Sequence, residues 1–214
     1  MPGTSCPPDA PAHTELILGG QRSGKSRRAE WLAQQWLAVR GRQALFIATA
    51  QPHDDEMAAR IRRHQADRAA RLPGMGTLEE PLALAEAIHA HSEPNVLLVI
   101  DCLTLWLANH DALIEGFCDS DPARHFLQAL EQRCGPVVMV SNEIGLGVVP
   151  LGREVRAYVD ALGWLNQQVA ARCDRVCLMA AGLPLWLKGG KADALRLPPD
   201  PEGSISSLSS YQET

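Results

Sequence analysis

The chain has 214 residues, 46% of them hydrophobic and 21% charged, enough for one α/β domain with a full core and too few for two comfortable ones. Its formal charge of -5 argues against a nucleic-acid binder, which needs a basic excess to displace counterions from phosphates. No apolar run approaches the ~20 residues of a membrane span, and the six cysteines form no C-x-x-C knuckle, so they read as reduced thiols of a soluble, cytoplasmic protein.

Residues 1–14, rich in Pro and Ala, lack the basic and apolar segments of a secretory signal and read as a disordered tail. Glu15 to Leu18 is a short buried strand leading into a glycine loop. Ser26 to Val39 follows as a helix, with Ala29, Leu32, Ala33, Trp36 and Leu37 on one face and Gly41 as its stop. Ala44 to Ala48 is a second strand. Asp54 to Arg71 is a second helix, whose first acidic residues suit the positive end of its dipole. Pro81 to His91 reads as helix, and Asn95 to Ile100 as a third apolar strand ending at Asp101. Helical stretches from Leu103 to Asn109 and Pro122 to Arg133 precede a fourth strand, Pro136 to Val140. A long helix from Arg153 to Arg172, a fifth strand from Arg175 to Ala180 and a short last one from Pro184 to Leu187 complete the pattern. Apolar strands without alternation, separated by helices, predict a mostly parallel central sheet flanked by helices in a single domain over 15–190. Residues 191–214, with Pro-Pro and a serine cluster, read as a second disordered tail.

The loop Gly19-Gly20-Gln21-Arg22-Ser23-Gly24-Lys25-Ser26 fits the P-loop pattern G-x-x-x-x-G-K-[ST], in the strand-before, helix-after context the pattern requires. Its glycines let backbone N–H groups turn inward around the phosphates of ATP or GTP, and the helix that follows adds its positive end. Lys25 would reach the β- and γ-phosphates, while the Ser26 hydroxyl would hold Mg²⁺. Asp101, at the carboxyl end of an apolar strand, is the candidate second metal-side group; an N-cap for the next helix is its plainer reading. A regulatory GTPase is weakly supported, because the guanine-reading N-K-x-D is missing, Ser141-Asn142-Glu143-Ile144-Gly145 being no match, and no D-x-x-G switch follows Asp101. A small-molecule kinase fits better. On the second helix, His64 lies among Arg60, Arg63, Arg68 and Arg71. A neutral imidazole in that positive field can act as a nucleophile toward a triphosphate, although a solvated basic helix has the same spacing.

Seven segments in order resemble the bifunctional adenosylcobinamide kinase/adenosylcobinamide-phosphate guanylyltransferase family of cobalamin biosynthesis. They are GGQRSGKSRRAE at 19–30, LFIATAQPHDDEMAARIRRHQADR at 45–68, LEEPLAL at 78–84, LLVIDCLTLWLAN at 97–109, VSNEIGLGVVP at 140–150, GWLNQQVA at 163–170 and AGLPLWLKG at 181–189. The resemblance implies an enzyme that phosphorylates the aminopropanol hydroxyl of adenosylcobinamide with ATP or GTP. It then moves GMP from GTP onto that phosphate through a guanylylated histidine, here His64. It further implies nucleotide contacts at Gly19–Ser26, at Ala48, Thr49 and Ala50, at Gln65, Ala66, Asp67 and Arg68, and at Glu79 and Asp101, and a trimer in which neighbouring subunits help to shape the site. Thr49 reads equally as a strand-end hydroxyl, Glu79 as an ordinary residue before a helix, and Arg22 as facing either phosphate or solvent. Residues 69–76 depart from the family's pattern and leave the register of Glu79 open; Leu151-Gly152, by a loop the resemblance places near the corrinoid, and residues 114–122 depart from it too. The alternative is a P-loop small-molecule kinase of other specificity, without guanylyl transfer.

Overall fold

The computed structural model describes residues 14–52 and 55–189. Both proposed tails, apart from Thr14, therefore lie outside the described residues. Seven strands form one sheet in the order β3-β2-β4-β5-β1-β6-β7. β1 (Thr14–Gly19), β4 (Val96–Asp101) and β5 (Val137–Val140) are its buried centre, where both faces are covered and the residues need no polar alternation. β2 (Gln43–Ala48) and β3 (Met75–Glu79) extend one side in parallel. On the other side β6 (Arg175–Ala180) runs parallel to β1, and β7 (Leu183–Lys188) folds back antiparallel at the edge.

Each face carries its own core. α1 (Lys25–Leu37) presents Ala29 and Ala33 to Phe46, Val99, Val138 and Val140, and Leu72, just past α2 (Asp55–Arg71), joins them. On the opposite face lie α3 (Leu84–His91), α4 (Leu103–Ala108), α5 (Asp121–Gln132) and α6 (Arg153–Arg172). They pack Ile88, Trp106, Phe126, Leu162 and Leu165 over Leu16, Leu98 and Ile100. A 3-10 helix, Asp111–Asp119, inserts Phe117 edge-on against Trp106, their ring centroids 5.6 Å apart.

The predicted mostly parallel sheet between helical layers is the observed one, with two additions. β3 had no apolar run to announce it, because as an edge strand it is mostly exposed and is held by pairing with β2 rather than by burial. The 3-10 helix likewise lacks a 3.6-residue apolar period. The helix expected from Pro81 starts at Leu84 instead, since the Glu80 carboxylate accepts the N–H groups of Leu82 and Ala83 and holds a turn there.

The first and last described strands meet beside α1. Thr14 N–H donates to the Asp174 carboxylate at 2.8 Å, and the buried Glu15 carboxylate pairs with Arg28 of α1, whose guanidinium lies over the Trp186 ring of β7. In the turn between β6 and β7, Gly182 N–H donates to the Ser23 carbonyl at 3.0 Å.

Candidate functional site

Every parallel strand points its carboxyl end the same way, and ligands of open α/β sheets bind beyond that edge. The segment leaving β1 there is Gly19–Ser26. Gly19 has φ 150 and Gly24 φ 100, backbone that favours glycine. A Cβ on Gly19 would also lie 2.5 Å from the Met179 carbonyl oxygen, and one on Gly24 3.1 Å from Gly182 Cα. The loop is thus pressed onto β6 and the turn beyond it, which leaves its other side for a ligand. Arg22 also adopts positive φ, at 55. α1 starts at Lys25, directly above the cleft.

Lys25 is buried, and its ammonium donates to the Gly19 carbonyl at 2.9 Å and to the Gly20 carbonyl at 2.6 Å. Burial lowers its pKa, against the opposing pull of Cys102 and Asp101. Asp101, at the end of β4, has its pKa raised to about 6. Burial is the chief cause and Glu30 adds to it, while Arg68, Lys25 and a hydrogen bond with Ser26 act the other way. Arg68 is buried flat over Phe46, 3.5 Å from the ring centroid. Desolvation lowers its pKa, and Asp101 and Glu30 oppose that. Asp101 does not cap α4: Cys102 holds the N-cap position, without a side-chain cap.

These groups line one cleft of about 550 Å³. Gly20, Gln21, Arg22, Lys25 and Ser26 form its floor; Ala48 and Ala50 come from the end of β2, Gln65 and Arg68 from α2, and Asp101 from β4. The other expected contacts stand further back. Gly19, Ser23 and Gly24 supply backbone behind the loop, and Ala66 and Asp67 face outward on α2. Glu79 pairs in register with Ala48 across β2 and β3 and accepts a hydrogen bond from Gln65 at 2.8 Å. That fixes its register despite the unusual 69–76 segment. His64 lies in α2, one residue before Gln65, but its side chain is outside the described residues.

Thr49 is fully buried. Its hydroxyl donates to the Cys102 carbonyl and accepts from the Cys102 N–H, both at 2.8 Å. Of its two readings, the side chain fits the structural one. Replacing Thr49 with valine leaves the buried Cys102 N–H unpaired, while the Cys102 carbonyl keeps the N–H of Trp106 at 3.0 Å, and is expected to cost about 1–3 kcal/mol; equilibrium urea unfolding measures this, and an unchanged midpoint refutes it.

A second consequence concerns Asp101. An acid whose folded pKa lies above its unfolded value makes the protein lose stability as pH rises from about 4 to about 6, where the carboxyl ionises in the unfolded chain first. Asp101→Asn is therefore expected to stabilise the nucleotide-free, metal-free protein by about 2–3 kcal/mol at pH 7. The gain should vanish near pH 3.5, where both states carry a neutral group. Paired thermal melts at the two pH values test this, and destabilisation at pH 7 contradicts it.

Sequence reasoning missed Glu30, Phe46, Cys102, Asn142 and Glu143, which also line the cleft. Glu30 was within reach of spacing, since it stands four residues after Ser26 on the same face of α1. Asn142 and Glu143 were not, because their place depends on strand order. β5 is inserted between β1 and β4, so the segment leaving it emerges between the glycine loop and Asp101.

The family model for cobinamide kinase / cobinamide phosphate guanyltransferase matches residues 15–187. The bifunctional adenosylcobalamin biosynthesis protein CobP of Pseudomonas aeruginosa is 50% identical over 181 residues, covering 82% of this chain and 97% of that protein. The CobU proteins of the same description from Escherichia coli and Salmonella typhimurium are 39% and 36% identical over 188 residues, each covering 81% of this chain and 98% of the relative. With its glycine loop, its Lys25–Ser26–Asp101 group and this likeness along almost the whole described length, the chain belongs to the cobinamide kinase / cobinamide phosphate guanyltransferase family.

Proposed function

We propose that this protein phosphorylates adenosylcobinamide with ATP or GTP, then transfers GMP from GTP to the resulting phosphate through a guanylylated His64, giving adenosylcobinamide-GDP. The observation that carries the kinase half is the meeting of Lys25, Ser26 and Asp101 in one cleft at the start of α1. Backbone N–H groups of the loop and the helix end hold the phosphates, Lys25 stabilises charge on the transferred group, and the burial of Lys25 strengthens that interaction.

Ser26 and Asp101 are hard oxygen donors in mutual hydrogen-bond contact, a set that suits Mg²⁺ held by one carboxylate together with substrate phosphates. When bound, Mg²⁺ would neutralise charge on the phosphate oxygens. The elevated Asp101 pKa then makes metal affinity rise with pH through about 6.

Guanylyl transfer needs attack at the α-phosphorus with pyrophosphate leaving, and a covalent histidine divides that reaction into two displacements. The position of His64 on α2 supports this role, because its neighbours Gln65 and Arg68 line the cleft. Ala66, Asp67, Thr49 and Glu79 belong to the same reading as residues around the nucleotide. The reading also includes a cytoplasmic homotrimer; among the described residues no helix is long and apolar enough to cross a membrane.

Incubation with GTP labelled at the α-phosphate tests the guanylyl half. Label should remain on the chain, stable in alkali and lost in acid as a histidine phosphoramidate is. It should leave on addition of adenosylcobinamide phosphate. Protein that stays unlabelled in the presence of Mg²⁺ would refute this half and leave a kinase alone.

A further inference from the structure

Three carboxylates line the cleft: Glu30, Asp101 and Glu143. The first two are engaged. Both oxygens of Glu30 accept from Arg71, each at 3.0 Å, and Asp101 is bonded to Ser26 and faces Lys25 and Arg68. Glu143 has no cationic partner among the described residues; its Oε1 accepts only the N–H of Gly145, at 3.1 Å.

Its backbone is fixed on both sides. Glu143 N–H donates at 3.1 Å to the Gly19 carbonyl, the same oxygen that receives the Lys25 ammonium at 2.9 Å. The preceding Asn142 gives its N–H to Thr104 Oγ1 at 2.8 Å and takes the Asn166 amide on its carbonyl at 3.1 Å. A half-buried carboxylate is thus anchored one hydrogen bond from the phosphate-binding lysine, on the strand end between the glycine loop and Asp101.

The geometry points to Glu143 as the catalytic base of the phosphorylation step, in contact with the acceptor hydroxyl. The hydroxyl oxygen bonds to the γ-phosphorus as its O–H proton passes to the Glu143 carboxylate. The bond from the γ-phosphorus to the bridging oxygen breaks, and its electron pair leaves on the β-phosphate of the nucleoside diphosphate. Glu143 then returns the proton to water. A positioned carboxylate of this kind also orients the hydroxyl for in-line attack, as the base residue of other phosphoryl-transfer enzymes does.

The assignment rests on the kinase half of the proposed function, so wild-type and variant proteins are assayed together with adenosylcobinamide and ATP. In Glu143→Gln, which keeps size and hydrogen-bonding shape, kcat should fall about 10²–10⁴-fold while KM for the nucleotide moves by less than about threefold. Glu143→Asp, with the same basicity and a shorter reach, should recover part of the loss. Thermal midpoints of both variants should match that of the wild type. A Glu143→Gln enzyme with wild-type kcat, or one whose defect lies wholly in KM, overturns the base assignment and leaves the kinase reading standing. A wild-type protein that does not phosphorylate adenosylcobinamide overturns both.

Discussion

Lys25→Ala is expected to reduce the turnover of adenosylcobinamide phosphorylation at saturating nucleotide by about 10²–10³-fold or more, the cost of removing one preorganised donor from developing negative charge. The ammonium already stands at the loop, held by the carbonyls of Gly19 and Gly20, so little reorganisation is needed when phosphate replaces those carbonyls. Its burial makes the charge more effective and lowers its pKa. The alkaline limb of kcat/KM for the nucleotide, which reports the free enzyme, should accordingly lie below the ordinary lysine range. Lys25→Arg should not rescue the loss. The buried site holds a compact point charge, and a planar guanidinium has a different shape and reach. Initial rates of cobinamide phosphate formation decide this, and near wild-type turnover in the alanine variant contradicts the role of the lysine.

His64→Ala is expected to abolish covalent labelling from α-labelled GTP and, with it, formation of adenosylcobinamide-GDP. The expected effect is complete, because without the nucleophile no guanylylated intermediate forms. Phosphorylation of adenosylcobinamide should continue in this variant, since Lys25, Ser26 and Asp101 are untouched. The separation matters more than either number. A variant that still carries label assigns the guanylylated residue elsewhere, and one that loses both activities with an unchanged melting point places His64 in the phosphate site common to the two reactions.

How much of this could be read before folding differs by segment. The glycine loop was legible because its signal is local: an apolar strand, glycines where the backbone must turn, then a helix. Asp101 was legible for a similar reason, as the carboxylate ending a wholly apolar strand. β3 was not, since Met75–Glu79 buries little and owes its form to pairing with β2. The hydroxyl of Thr49 could serve ligand or scaffold until Cys102 was seen on both sides of it. Glu143 was the hardest. Its segment was visible as a strand end, but only the insertion of β5 between β1 and β4 brings that end to the glycine loop, and strand order is not written in any local pattern.

The hydrogen bond from Gly182 to the Ser23 carbonyl has a consequence for biosynthesis. The nucleotide loop leaves the ribosome among the first residues of the domain, whereas the hairpin that braces it from behind emerges among the last. A nascent chain therefore carries an unfinished cradle through most of its translation, and competence for triphosphate arrives late, when the closing turn docks. Ligand present during synthesis would favour the completed protein over every shorter intermediate, because only the finished chain offers it a rigid seat.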